Sequence, residues 1–150
     1  RYYNARNVIG KGPRYNNPDK DITGLGKQFI IFNHDALEMY RSVFICEGAL
    51  NALTIGDRAI ATMGKAISQY QVNELLKSQC QRYIILLDPD ARSYAVNLAL
   101  KLVAYKKVKV VFLPEGFDVN DLGKKQTLKL VYQTRYQSYQ ELIQIRNSLE

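Results

Sequence analysis

The segment SVFICEGALNAL (residues 42–53) begins with a short apolar run typical of a buried β-strand, and an acid, Glu47, follows that run directly. Four further runs of the same kind are separated by stretches whose apolar residues mostly repeat at helical spacing. They are FIIF at 29–32, AIAT at 59–62, YIILLD at 83–88 and VKVVFL at 108–113. Strands that alternate with helices, and that are apolar on both faces, predict an α/β fold with a mostly parallel sheet flanked by helices.

The helical stretches have recognisable starts and faces. Ser68 and Gln71 form a predicted capping box ahead of an apolar stripe, and residues 95–103 repeat their apolar positions at helical spacing. From Lys124 onwards one face is apolar or aromatic and the other is polar, which predicts a single long helix over residues 124–150.

The composition favours one soluble domain with an anionic partner. The chain of 150 residues is 47% apolar and carries a formal net charge of +7, with most of the basic excess before residue 30. No apolar stretch is long enough for a membrane span or a secretory signal, so we expect a cytoplasmic protein without a membrane partner. Cys46 and Cys80 lack C-x-x-C spacing, and we expect buried thiols rather than a zinc site or a disulfide.

Acids follow three of the predicted strands. Glu47 follows the first, Asp88 and Asp90 follow another, and Asp118 comes shortly after the last. The carboxyl ends of parallel strands meet at one edge of a sheet, so these carboxylates should crowd together and require a cation. Hard oxygen ligands indicate Mg²⁺ or Mn²⁺. The alternative for any single acid is that it caps a helix.

Four motifs carry a family resemblance. In order they are ICEGALNAL at 45–53, ATMGKAIS at 61–68, ILLDPDA at 85–91 and FLPEGFDVNDL at 112–122. Together they resemble the toprim domain that topoisomerases share with bacterial-type primases. The segment GPRYNNPDKDITGLGKQFIIFN at 12–33 is similar to the basic segment that precedes toprim in bacterial- and phage-type DNA primases. The resemblance implies a partial basic subdomain over 1–33, a toprim metal-binding domain over 34–123 and a helical segment over 124–150.

The resemblance implies a function as well. It predicts a primase core, a DNA-directed RNA polymerase that makes short RNA primers by metal-dependent nucleotidyl transfer, with Mg²⁺ or Mn²⁺ as cofactor. The implied site residues are Glu47, Asp88 and Asp90 as catalytic groups, these three with Asp118 as metal ligands, and Arg14, Tyr15 and Lys27 as nucleotide or template contacts. The implied partners are a single-stranded DNA template, ribonucleoside triphosphates and a replicative helicase that binds regions outside this chain. The chain is then expected to be a fragment of a longer primase.

Two positions depart from the family pattern. Asn51 stands where an acid usually follows the motif glutamate by four residues, and Asn120 stands where Asp118 usually has an acidic partner. Asn51 predicts weaker metal binding, and Asn120 leaves the number of ions open. Two other functions remain: a toprim nuclease or DNA-repair protein using the same acids, and a non-catalytic nucleic-acid-binding module, which the two asparagines make conceivable.

Overall fold

A computed structural model describes residues 26–150 of the chain, together with two short strands before them. These are β1 (Ala5–Arg6) and β2 (Tyr15–Asn16), which pair in antiparallel fashion. The proposed contacts of the Arg14 and Tyr15 side chains lie outside the described residues. The division of the chain at residues 33 and 123 stays a prediction.

The described residues contain a four-stranded parallel sheet, as the sequence predicts. Its strands, in spatial order, are β4 (Ala59–Ala61), β3 (Ser42–Cys46), β5 (Arg82–Leu86) and β6 (Lys107–Val110). The two central strands pair along their whole length, from Ser42 opposite Arg82 to Cys46 opposite Leu86. Whatever follows Cys46 and Leu86 therefore emerges at the same edge of the sheet.

The predicted strand at 29–32 is wrong. Lys27–Phe29 forms a turn of 3-10 helix, and Phe32 alone pairs with Ala61 as an isolated antiparallel bridge. The backbone N–H groups of Phe29 and Ile30 are taken by the carbonyls of Gly26 and Lys27. Because these local bonds use the groups that a ladder needs, the apolar run does not extend into a strand.

Helices cover both faces of the sheet. They are α1 (Ala36–Met39), α2 (Ala49–Ile55), α3 (Gln69–Lys77), α4 (Arg92–Leu102), α5 (Val119–Gln133) and α6 (Tyr139–Leu149). Alternate residues of β3 and β5 point to opposite faces: Val43 and Ile45 pack with residues of α3, α4 and α6, whereas Cys46 packs with residues of α2 and α5. Cys46 and Cys80 are buried free thiols, as expected. No helix in the described range has the length and apolar character needed to cross a membrane.

The segment after Lys124 forms two helices rather than the one predicted. α5 ends at Gln133, and Ser138 starts α6 with a capping box that includes Glu141. Between them, the backbone N–H of Gln137 donates to the Val108 carbonyl, and its side-chain oxygen accepts from the Val110 N–H. The break therefore lets the chain cover the edge of β6. This is a tertiary contact, which helical periodicity in the sequence does not reveal.

A buried glutamine fixes the segment before the sheet. Gln71 on α3 is 1% exposed, and its amide nitrogen donates to the carbonyls of Ile30 (2.7 Å) and Thr62 (2.8 Å). Its oxygen accepts from the N–H of Ser68, which completes the predicted capping box. One side chain thus joins α3, the segment after the 3-10 turn and the loop after β4.

Replacing Gln71 with Leu should destabilise the chain. The apolar side chain fits the buried position but leaves the Ile30 and Thr62 carbonyls without their donor, so the free energy of unfolding should fall by roughly 2–4 kcal/mol. Urea unfolding measures the change. Gln69→Leu, on the exposed side of the same helix, is the matched control and should have little effect. An equal loss in both variants would contradict this account of Gln71.

Candidate metal centre

Three carboxylates meet at the carboxyl edge of the sheet. Glu47 follows β3, and Asp88 and Asp90 follow the neighbouring strand β5. One oxygen from each residue lies within 4.8 Å of the others. The structure therefore brings together the three acids that the sequence singles out as catalytic.

The chain after β5 turns in a way that separates its two acids. Asp88 remains extended and caps a 3-10 turn, Pro89–Ala91, whose last N–H bonds to the Asp88 carbonyl. Asp88 is consequently half-buried, whereas the Asp90 side chain is 68% exposed. Asp88 lies closer to the protein interior, and Asp90 faces solvent.

Glu47 shows the electrostatic cost of this arrangement. Its Oε2 atom is buried without a hydrogen-bond partner among the described residues. Burial first, and then the neighbouring charges of Asp88 and Asp90, raise the pKa of Glu47 from 4.5 to about 7, against the opposing effect of Lys65 and Lys27. A divalent cation would offset both the burial and the repulsion, so the three residues fit a hard metal ion.

Two lysines flank the acids. Lys65 Nζ contacts Asp90 Oδ2 at 2.9 Å. Lys27 lies beside the same loop, because a Cβ atom built on Gly64 would be 3.5 Å from Lys27 Nζ. The Gly64 N–H donates to the Glu47 carbonyl, which fastens this loop to the acidic edge. Lys27 is predicted from the sequence, whereas Lys65 is not, because its only signal is its place in ATMGKAIS.

Asp118 is not part of the three-carboxylate group. Its Oδ1 accepts the N–H of Asp121 at 2.8 Å, and Asp121 accepts the N–H of Asp118 in return, so the two acids cap the start of α5. The start of α5 nevertheless reaches the acidic edge, because the N–H of Asn120 donates to Asn51. The metal-ligand role of Asp118 stays a prediction.

Asn51 links the acidic edge to α5. It is 5% exposed on α2, its Nδ2 donates to Asp88 Oδ1 at 3.2 Å, and its Oδ1 accepts the Asn120 N–H at 3.2 Å. Asn120 also accepts the Thr54 hydroxyl at 3.0 Å. The two residues that depart from the family pattern are thus bonded to each other.

Comparisons with known proteins find similarity to DNA primases. No protein-family model matches the chain. The DNA primase of Aquifex aeolicus is 29% identical over 140 residues, and the match covers 84% of this chain and 28% of that protein. The DNA primase of Lactococcus lactis is 24% identical over 112 residues, covering 69% of this chain and 17% of the relative. The chain therefore spans less than a third of the length of either relative.

Solved structures of primases have a similar fold. The Escherichia coli primase catalytic core matches 99% of this chain and 51% of its own, with a TM-score of 0.75 and 20% identity. The zinc-binding and RNA polymerase domains of the Aquifex aeolicus primase match 91% of this chain and 37% of their own, with a TM-score of 0.70 and 25% identity. The chain has the fold of a primase catalytic core. The resemblance to primases and the predicted α/β architecture are both confirmed.

The raised pKa of Glu47 should make the stability of the folded chain depend on pH. In the metal-free folded protein Glu47 loses its proton near pH 7, whereas in the unfolded chain it does so near 4.5. The unfolded chain then binds fewer protons between these values, so the free energy of unfolding should fall as the pH rises from about 4.5 to about 7.

Urea unfolding in the presence of a chelator tests this expectation. Glu47→Gln should remove most of the decline with pH, whereas Glu38→Gln, at an exposed acid on α1, should leave it unchanged. The assignment fails if the stability profiles of the wild type and Glu47→Gln run parallel across this pH range.

Proposed function

We propose that the chain is the metal-binding core of a DNA primase, part of a longer protein that makes short RNA primers on a single-stranded DNA template. The observation that carries the proposal is the convergence of Glu47, Asp88 and Asp90 at one edge of the sheet. The similarity of the sequence to two DNA primases supports it. Three clustered carboxylates suit a reaction in which a cation neutralises phosphate charge.

The proposed reaction joins the 3′-hydroxyl of one nucleotide to the α-phosphate of the next, with release of pyrophosphate. A bound Mg²⁺ or Mn²⁺ would neutralise charge on the reacting oxygens. Glu47, Asp88 and Asp90 would hold the ion through hard carboxylate oxygens. Asp118 is proposed to join them through its second carboxylate oxygen, because Oδ1 accepts the N–H of Asp121.

The two lysines have a role in the same reaction. Lys65 and Lys27 lie beside the acids, where ammonium groups can bind the phosphates of an incoming ribonucleoside triphosphate or of the template. Arg14 and Tyr15 are proposed to contact nucleotide or template as well, on the basis of the sequence resemblance. One similar structure, the DnaG primase catalytic domain at 19% identity, is bound to single-stranded DNA, which supports a DNA template as partner.

The remaining expectations concern the longer protein and not this chain alone. A replicative helicase is expected to bind regions outside this chain, and primer synthesis is expected to take place in the cytoplasm. These expectations rest on the primase proposal, because the chain spans only 28% and 17% of its two relatives.

The decisive experiment is primer synthesis by the full-length parent. Asp88→Asn removes one of the clustered charges while keeping its shape, and should lower ribonucleotide incorporation about 100-fold or more. Incorporation is measured on single-stranded DNA with Mg²⁺, alongside the thermal midpoint and DNA affinity, which should change little. Asp57→Asn, an exposed acid in the turn before β4, is the control and should remain active.

Full primer synthesis by Asp88→Asn would show that the acidic edge is not the active site. Metal-dependent cleavage of DNA by the wild-type parent, without primer synthesis, would instead favour the nuclease alternative. An inactive parent that still binds DNA would favour the non-catalytic module.

A further inference from the structure

The orientation of the Asn51 amide is fixed by its neighbours. A backbone N–H can only donate, so the Asn51 atom that faces the Asn120 N–H at 3.2 Å must be the oxygen. The amide nitrogen therefore faces Asp88 Oδ1, also at 3.2 Å. Because Asn51 is 5% exposed, water competes little for either bond.

This orientation divides the surroundings of Asp88 into two sides. Towards Glu47 and Asp90 there are carboxylate oxygens, which can bind a cation. Towards Asn51 there is an N–H donor, which cannot ligate a cation. The Asn51 oxygen, which is the only atom of the amide that could ligate a cation, faces the Asn120 N–H and not Asp88.

The start of α5 is held by hydrogen bonds of its own. The Thr54 hydroxyl has two acceptors at 3.0 Å, the Asn120 side-chain oxygen and the Leu50 carbonyl. Asp118 and Asp121 each accept the backbone N–H of the other. A second ion between Asp88 and Asn51 would have to displace the Asn51 N–H from Asp88.

We propose that Asn51 is a positioning residue that holds the Asp88 carboxylate and confines the acidic edge to a single divalent cation. This inference rests on the proposed metal site and answers how many ions the site holds. The hydrogen bond from Asn51 stabilises the negative charge of Asp88 on the side where a second ion would otherwise do so. It also orients Asp88 towards Glu47 and Asp90.

Asn51→Asp should convert the site to two ions. A carboxylate at this position can still accept the Asn120 N–H, but it cannot donate to Asp88. Two carboxylates would then face each other at hydrogen-bonding distance, and a cation between them would relieve the repulsion. Asn73→Asp, at an exposed position of α3, adds the same charge away from the site and is the matched control.

The test counts Mn²⁺ ions bound per chain, using electron paramagnetic resonance of the ions left in solution. The wild type and Asn73→Asp should bind one Mn²⁺, Asp88→Asn should lose that ion, and Asn51→Asp should bind two. Asn51→Ala should keep one ion but bind it about 10-fold more weakly, because the partner that orients Asp88 is gone. This variant keeps the proposal testable if Asn51→Asp fails to fold.

The outcomes separate this inference from the proposed function. Two Mn²⁺ ions on the wild type that are both sensitive to Asp88→Asn, one ion on a folded Asn51→Asp, or unchanged affinity in Asn51→Ala would each overturn the role of Asn51 while leaving the metal site intact. Absence of Mn²⁺ binding to the wild type, or binding that Asp88→Asn does not affect, would overturn the metal site and this inference together.

Discussion

The repulsion among three carboxylates at one edge of the sheet is the constraint around which this structure is arranged. Glu47, Asp88 and Asp90 approach to within 4.8 Å. Burial first, and then the charges of Asp88 and Asp90, raise the pKa of Glu47, and its buried Oε2 has no hydrogen-bond partner in the described part of the chain. Lys65 and Asn51 compensate part of the repulsion through contacts with Asp90 and Asp88. The remainder is what a bound cation would provide.

The fold makes this crowding unavoidable. β3 and β5 are adjacent and parallel, and they end at the paired residues Cys46 and Leu86, so the acids that follow must share one edge. Apolar packing on both faces of the sheet stabilises that pairing. Gln71 adds a buried polar connection that joins α3 to the loop carrying Lys65. A stable core thus keeps an electrostatically unfavourable edge in place.

The sequence patterns predicted the elements that are determined by neighbouring residues in the chain. The apolar runs and the capping box at Ser68 indicated the four-stranded sheet and the start of α3, and the acids after β3 and β5 indicated the site. The patterns failed at two places. The run at 29–32 is not a strand, because a local 3-10 turn uses N–H groups that a strand would need, and the expected long helix breaks where Gln137 bonds the distant edge of β6. The contact between Asn51 and Asn120 likewise is not encoded by spacing, whereas the cap that Asp118 forms with Asp121 is local.

The central claim is that one divalent cation binds between Glu47, Asp88 and Asp90. Anomalous diffraction from a crystal of the chain soaked in Mn²⁺ tests it most directly, because the signal locates the ion without any assumption about activity. The account predicts a single anomalous peak at this edge, next to the carboxylate oxygens of the three residues. A peak elsewhere on the sheet, or no peak at Mn²⁺ concentrations that saturate binding in solution, would contradict it.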